Sequence, residues 1–331
     1  MASENRIIEL DLLRVMAIFL VILQHSWSML GLDSAADGMQ YHFYRFAIIG
    51  VPLFVMISGS LLLRKEMPVK LFLKKRFTRI LLPFVFWTTI VYVISCFLGR
   101  YDDVHNLKEA LLCYVPYFFG NKINSVYWFM FMLIGLYLLT PLFQRAFSAP
   151  ASRNVLKYVI CLWFIWQLLC LITPEFILVR YYRFSAYLYV GYFLVGFYII
   201  QYLPNKRLNR LLGGIGFCVT YALNVVLSMQ GWKVTPIEVL EVLCLFLFFV
   251  SIDYRLPHWL QVGIVQISRY SFAIYLSHVM VIGLLYHLGI QHYLPLAVVP
   301  LVTSVVVFVF CSCYCFVLDK CRFIPNKLIG I

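Results

Sequence analysis

The sequence predicts an all-α integral membrane protein of about ten transmembrane helices, with both termini in the cytoplasm. Three observations carry this reading. Of the 331 residues, 63% are hydrophobic and 12% charged, against about a quarter charged in a soluble domain. The mean hydropathy is +0.89, more apolar surface than a water-soluble fold can hide. The apolar residues also fall into runs close to the ~20 residues that a span requires. No polar stretch is long enough to form a separate soluble domain, so residues 1–331 read as one membrane domain.

The candidate spans are 8–30, 43–63, 78–98, 125–144, 155–173, 183–202, 209–229, 236–252, 269–290 and 295–317, the eighth being the shortest. The connections between them alternate in charge. The one after the second span holds Arg64, Lys65, Lys70, Lys74, Lys75, Arg76 and Arg79, and Lys206, Arg207 and Arg210 follow the sixth. The odd connections are poorer, with no Lys or Arg in 31–42 or 288–294. Cytoplasmic loops collect Lys and Arg, which places both termini inside. The net charge of +13 is therefore topological, and no nucleic-acid partner is expected. Residues 99–124 form the longest external connection. Val104, Leu107, Leu111 and Val115 recur there at helical spacing, predicting a short interfacial helix.

The N-terminal run is no cleavable signal: it is long, Arg14 interrupts it, and no small-x-small pattern follows. Ten cysteines are present, mostly within apolar runs. On a helix, Cys311 and Cys315 share a face while Cys313 does not. Lacking nearby His or acidic ligands, they read as packing residues, and no metal is expected.

Arg14 and His25 lie inside the first span. Ionisable groups at membrane depth are costly, and by default they mark function. Eleven residues turn an α-helix about 20° past three full turns, so both side chains share one face, roughly 16.5 Å apart. The first span runs from inside to outside, placing Asp11 and Arg14 near the cytoplasm and His25 toward the outer surface. Asp11 and Arg14, three apart, can pair and lessen the cost of burying both. Buried and neutral, His25 would be a base. In the second span, Phe54 and Ser58 are i,i+4 neighbours, and Gly59 permits close helix approach. Lys74, Lys75, Arg76 and Arg79 open the third span from the cytoplasm, a cluster suited either to phosphates or to anionic lipids. Tyr127 and Trp128 stand at the outer start of the fourth span, where aromatics also serve as interface anchors. Tyr275 and His278 share one side of the ninth span. Glu238 and Glu241 enter the eighth from outside, and Arg45 and Arg183 cap the second and sixth.

Together these elements resemble the acyltransferase-3 family of membrane O-acyltransferases. Arg14-x10-His25, Phe54-x3-Ser58-Gly59, Arg76-x2-Arg79 followed by Pro83, Tyr127-Trp128-Phe129 and Tyr275-x2-His278 match its motifs in family order, although Tyr127 stands where His is frequent. In size and pattern the chain is similar to stand-alone members that acetylate surface polysaccharides, the enterobacterial common antigen among them. It ends after the tenth span, so no appended SGNH hydrolase-like domain is expected.

The resemblance implies an enzyme of the bacterial cytoplasmic membrane. Its donor would be an acyl-CoA, acetyl-CoA first among them. Its acceptor would be a hydroxyl of an extracytoplasmic cell-surface saccharide or a lipid-linked precursor. Arg14 and His25 would be catalytic, His25 serving as general base or transient acyl carrier. Arg76, Arg79, Lys75 and Ser58 would bind the donor. Trp128, Tyr127, Tyr275, His278 and Glu241 would border the acceptor, with Ser58 and Tyr275 as candidate oxyanion donors. A secondary transporter or lipid-linked saccharide flippase is the alternative, since intramembrane Arg and His also mark transport paths. Against it, no pair of broken helices repeats in the two halves.

Overall fold

The first apolar run folds as one uninterrupted helix, α1 (Ile8–Ser28), whose Leu13, Ala17, Ile18 and Ile22 are wholly buried. It packs mainly against the helices of the second, ninth and tenth apolar stretches. The computed structural model describes residues 6–31, 44–147, 149, 152–172, 185–230, 234–321 and 325–331. Among these, every regular element is helical. α2 (Gly50–Leu62) is followed by α3 (Val69–Arg76), a π-turn at Phe77–Leu81 and α4 (Leu82–Phe97). α5 (Leu107–Phe119) and a single 3-10 turn at Ser125–Tyr127 lead into α6 (Trp128–Phe147). Then come α7 (Arg153–Ile172), α8 (Ser185–Tyr202), α9 (Lys206–Met229), α10 (Thr235–Val250), α11 (His258–His287), α12 (Val299–Lys320) and the short α13 (Asn326–Ile329).

A helix lies in each of the ten apolar stretches, and among the described residues six helices are long and apolar enough to cross a membrane: Tyr44–Leu62, Val69–Phe97, Ser125–Phe147, Lys206–Met229, His258–His287 and Val299–Lys320. Their outer faces are apolar and open, as on α9, where Leu211, Ile215, Val219 and Val226 are all exposed. A face of this kind is stable against lipid but not against water. Arg183 lies outside the described residues.

Local chemistry sets several boundaries. Pro236 and Pro300 stand in the first turns of α10 and α12, where a missing N–H costs nothing. Asn106 caps α5 by accepting from Glu109 N at 3.0 Å, and the Glu109 carboxylate accepts from His105 N at 2.7 Å. This is the reciprocal satisfaction that a helix start needs. The expected interfacial helix is thus present, with Leu107, Leu111, Leu112 and Val115 exposed along it. Beside it the Tyr117 hydroxyl donates to Asp103, and that bond holds the Asp103 carboxyl below its usual range.

Two boundaries differ from expectation in ways that matter for the site. The third span, expected to begin at 78, starts earlier, so Arg76 as well as Arg79 lies within one continuous helical run, Val69–Phe97. The ninth segment begins at His258, not at 269. Gln261, Gln266 and Ser268 break the apolar pattern there, yet the helix continues because its polar side chains find partners.

Lipid supplies no hydrophobic force between helices, so close packing and hydrogen bonds hold them together. Gly59 and Gly196 show the first of these. A Cβ at Gly59 would lie 1.8 Å from the carbonyl oxygen of Phe193, and one at Gly196 would lie 2.2 Å from that of Met56. The backbones of α2 and α8 therefore touch. Next to this pair, α1 runs parallel to α11, with Arg14 against Ser268 and His25 against His278. It runs antiparallel to α12, with Phe19 against Phe308 and Ser26 against Ser304.

Candidate active site

A cavity of about 530 Å³ opens among α1, α2, α6, α11 and the α3–α4 run. Its wall is rich in cations: Arg6, Arg14, Arg76, Arg79, Arg269 and Lys327 all line it. Two of them are already committed. Arg6 grips Asp11 through Nε at 2.6 Å and Nη2 at 3.1 Å, and Arg269 pairs with Asp319. Arg14 is held more loosely. Its Nη1 donates to Ser268 Oγ at 3.3 Å and lies 3.8 Å from Asp11 Oδ1. Asp11, only 5% exposed, also accepts from Ser268 Oγ at 2.6 Å. The expected Asp11–Arg14 pair therefore exists, but Arg6 is the stronger partner of the carboxylate.

Arg76 makes no ion pair among the described residues. Its guanidinium lies 5.3 Å from the Phe72 ring centre and 5.6 Å from that of Tyr137. Its Nε is buried without any hydrogen-bond partner among the described residues. Flat aromatic faces hold a guanidinium in one plane, and a buried unpaired donor is costly. Arg76 is nevertheless partly exposed and lines the cavity, so an anion there would meet its side chain.

Ser58 and Phe54 line the same cavity from α2, with Phe129 and Tyr275 opposite. From the cavity a chain of rings leads toward His25. Phe54 and Phe129 have centroids 6.5 Å apart, and Phe129 and Tyr275 5.2 Å. His278 follows Tyr275 at 5.7 Å, and His25 stands 5.3 Å beyond it. His25 is partly exposed, whereas His278 is wholly buried.

Arg14, Ser58, Arg76 and Arg79 are thus brought together, and His25 lies at the far end of the same aromatic path. Several residues read from the sequence lie elsewhere. Lys75 is exposed and absent from the cavity wall, because one step along the helix turns it about 100° from Arg76. Tyr127 is 2% exposed and its hydroxyl donates to Leu276 O at 2.9 Å, so it offers a sugar neither face nor proton. The Tyr275 hydroxyl likewise donates to Val126 O at 2.7 Å. With its single proton engaged, it is no oxyanion donor. His278 bonds its own helix through Nδ1 and presents no surface to an acceptor. Glu241, 2% exposed, accepts from Asn224 Nδ2 at 2.8 Å; Asn224 in turn accepts from Arg45, which also pairs with Glu238. This network ties α9 and α10 to the start of the second span, so Glu241 is a strut and not a contact for substrate. Trp128 remains partly exposed beside Tyr189, with ring centres 5.7 Å apart.

Sequence reasoning missed Arg6, Ser268, Arg269 and Lys327 at this site. Ser268 carried a usable signal: it lies seven residues, or about two turns, before Tyr275 and so shares its face. Arg6 and Lys327 fell outside the assigned spans, and Arg269 stood at the very start of the ninth, where a cation reads as ordinary topogenic charge.

The acyltransferase-3 family model, described as an acyltransferase domain, matches residues 7–318 and so contains Arg14, His25, Ser58, Arg76, Arg79 and His278. No curated protein and no solved structure matches the chain.

Proposed function

Because the chain belongs to the acyltransferase-3 family, we propose that this membrane acyltransferase moves an acetyl group from cytoplasmic acetyl-CoA to a hydroxyl of an extracytoplasmic cell-surface saccharide. The setting is a bacterial cytoplasmic membrane, spanned ten times with both termini inside. The parallel course of α1 and α11 supports this topology, since a first and a ninth span run in the same direction.

The observation that carries the reading is the cation-lined cavity, in which Arg76 Nε is buried without a partner. Guanidinium groups bind phosphates through paired N–H bonds. Arg14, Arg76 and Arg79 would hold the anionic end of the donor, and Ser58 would border its thin arm. Arg14 lies roughly 16.5 Å along α1 from His25, a separation that suits a long donor whose charge and thioester sit at opposite ends.

At the far end His25 acts as general base. It takes the proton from the acceptor hydroxyl as that oxygen bonds to the thioester carbonyl carbon. The carbon–sulfur bond then breaks, and the departing sulfur recovers the proton. Ester and free CoA thiol result, with His25 again neutral. Trp128, at the open outer side, borders the sugar. Phe54, Phe129 and Tyr275 lie between the cavity and His25, so the donor arm must pass between them.

The test supplies labelled acetyl-CoA to membranes that contain the protein and identifies the labelled product. Labelled surface saccharide is expected with the native chain, and none with His25→Ala at equal membrane insertion. An active, correctly inserted His25→Ala protein would sink the mechanism; labelled acetyl on no saccharide would sink the acceptor.

A further inference from the structure

The histidine pair contains more information than its spacing. His278 Nδ1 lies 2.6 Å from the carbonyl oxygen of Tyr275. A carbonyl only accepts, so Nδ1 carries the proton. In a neutral imidazole the other nitrogen then holds a lone pair. That nitrogen, Nε2, is buried and has no hydrogen-bond partner among the described residues. A buried acceptor left unmet is costly, and the His25 ring stands 5.3 Å away, centre to centre, tilted by 41°.

We propose that His278 is a positioning residue for His25: a turn of the facing His25 ring brings one of its N–H groups to His278 Nε2, which accepts it and leaves the other His25 nitrogen bare. The inference rests on the general-base reading given above. A base works best when a third group fixes its tautomer. In many hydrolytic sites a carboxylate does this. A carboxylate at this depth would need its own counter-charge, whereas a neutral imidazole does not. His278 also cannot rotate to a different use, because its own helix holds Nδ1. The arrangement further favours proton transfer over acylation of His25. Acylating the bare nitrogen would force the opposite nitrogen to shed its proton before the ring became neutral again. His278 Nε2 would have to take that proton, and no onward acceptor follows, since Nδ1 is already protonated.

Two substitutions separate this role from mere packing. In His278→Asn the amide N–H can still reach Tyr275 O, but nothing accepts at the position of Nε2. In His278→Gln the longer side chain carries an amide oxygen to that position. The full chain is prepared in lipid nanodiscs with ¹⁵N-labelled histidine, and the His25 tautomer and the acetyl-transfer kinetics are both measured. One His25 tautomer is expected in the native chain and in His278→Gln, and a mixture in His278→Asn. kcat should fall on the order of 10²-fold in His278→Asn with the donor KM unchanged, and His278→Gln should recover most of it. Equal kcat for His278→Asn and the native chain, Gln no better than Asn, or a mixed His25 tautomer in the native chain overturns the proposal. The tautomers are read without turnover. Native protein with the expected tautomers but no acetyl transfer therefore upholds the pair and overturns the proposed reaction instead.

Discussion

Tyr127 and Tyr275 each donate their hydroxyl proton to the backbone beside the other: Tyr127 to Leu276 O at 2.9 Å and Tyr275 to Val126 O at 2.7 Å. This reciprocal clasp joins the start of α6 to the middle of α11, next to His278. Each phenol is buried, so each bond is made where water cannot replace it. Tyr127→Phe or Tyr275→Phe should each lower stability by about 1 kcal/mol, with the double variant losing less than the sum because one clasp is removed. Thermal unfolding in detergent measures this. Tyr275→Phe should also keep kcat within about twofold. A loss of 10²-fold, the scale for an oxyanion donor, would show that the hydroxyl serves the reaction after all.

Arg79 and Lys75 are four residues apart in sequence but differ in what they face. Both are exposed, but Arg79 lines the cavity and Lys75 does not. Charge-assisted hydrogen bonds contribute about 1.5–3 kcal/mol, so Arg79→Ala should weaken CoA binding roughly 10- to 100-fold. Lys75→Ala should change it by less than about threefold, and that small effect should vanish in high salt. Calorimetric titration of CoA into each variant decides the matter.

Phe129 is 6% exposed and packs between Phe54 and Tyr275. Phe129→Ala removes the middle ring of the layer that separates the cavity from the histidines. Acetyl-CoA should then be hydrolysed several-fold faster without any acceptor, as water gains the path that the ring had closed. Labelled acetate released from membranes is the readout, and an unchanged hydrolysis rate would mean that the ring does not guard the path.

Gly59 accepts no side chain at all. Its missing Cβ would stand 1.8 Å from Phe193 O, and backbone of a packed helix has little room to shift. Gly59→Ala should force α2 and α8 apart and destabilise the protein by about 1–3 kcal/mol or more. Gly263, with nothing within 4 Å of its added Cβ, serves as control: Gly263→Ala should be neutral or slightly stabilising.

What the sequence could show was whatever periodicity and depth dictate. Arg14 and His25 share a face because eleven residues nearly close three turns, and the structure sets both of them against α11. The amphipathic spacing of Leu107, Leu111 and Val115 likewise located α5. What it could not show was which hydroxyls were already engaged. Tyr127 and Tyr275 look available as residue types, and only their distances to Val126 and Leu276 reveal the clasp. Polarity also misled in a specific way. Gln261, Gln266 and Ser268 shortened the ninth span on paper, because a hydropathy window cannot know that Gln266 and Ser268 will meet Asp319 and Asp11. Lys75 and Arg76 are adjacent and alike in charge, and a helix separates their surroundings within a single step.

The π-turn at Phe77–Leu81 takes up one residue more than a regular helix would. Deleting one residue of the five would let the turn close to regular helix with α3 and α4 still nearly in phase, because the wide turn already absorbs the extra residue. Trp87, whose Nε1 donates to Ile329 O at 3.2 Å, would keep its place against α13. Arg79, inside the turn, is the cavity residue whose facing would change, so a single-residue gap there should spare the fold and disturb the anion-binding wall.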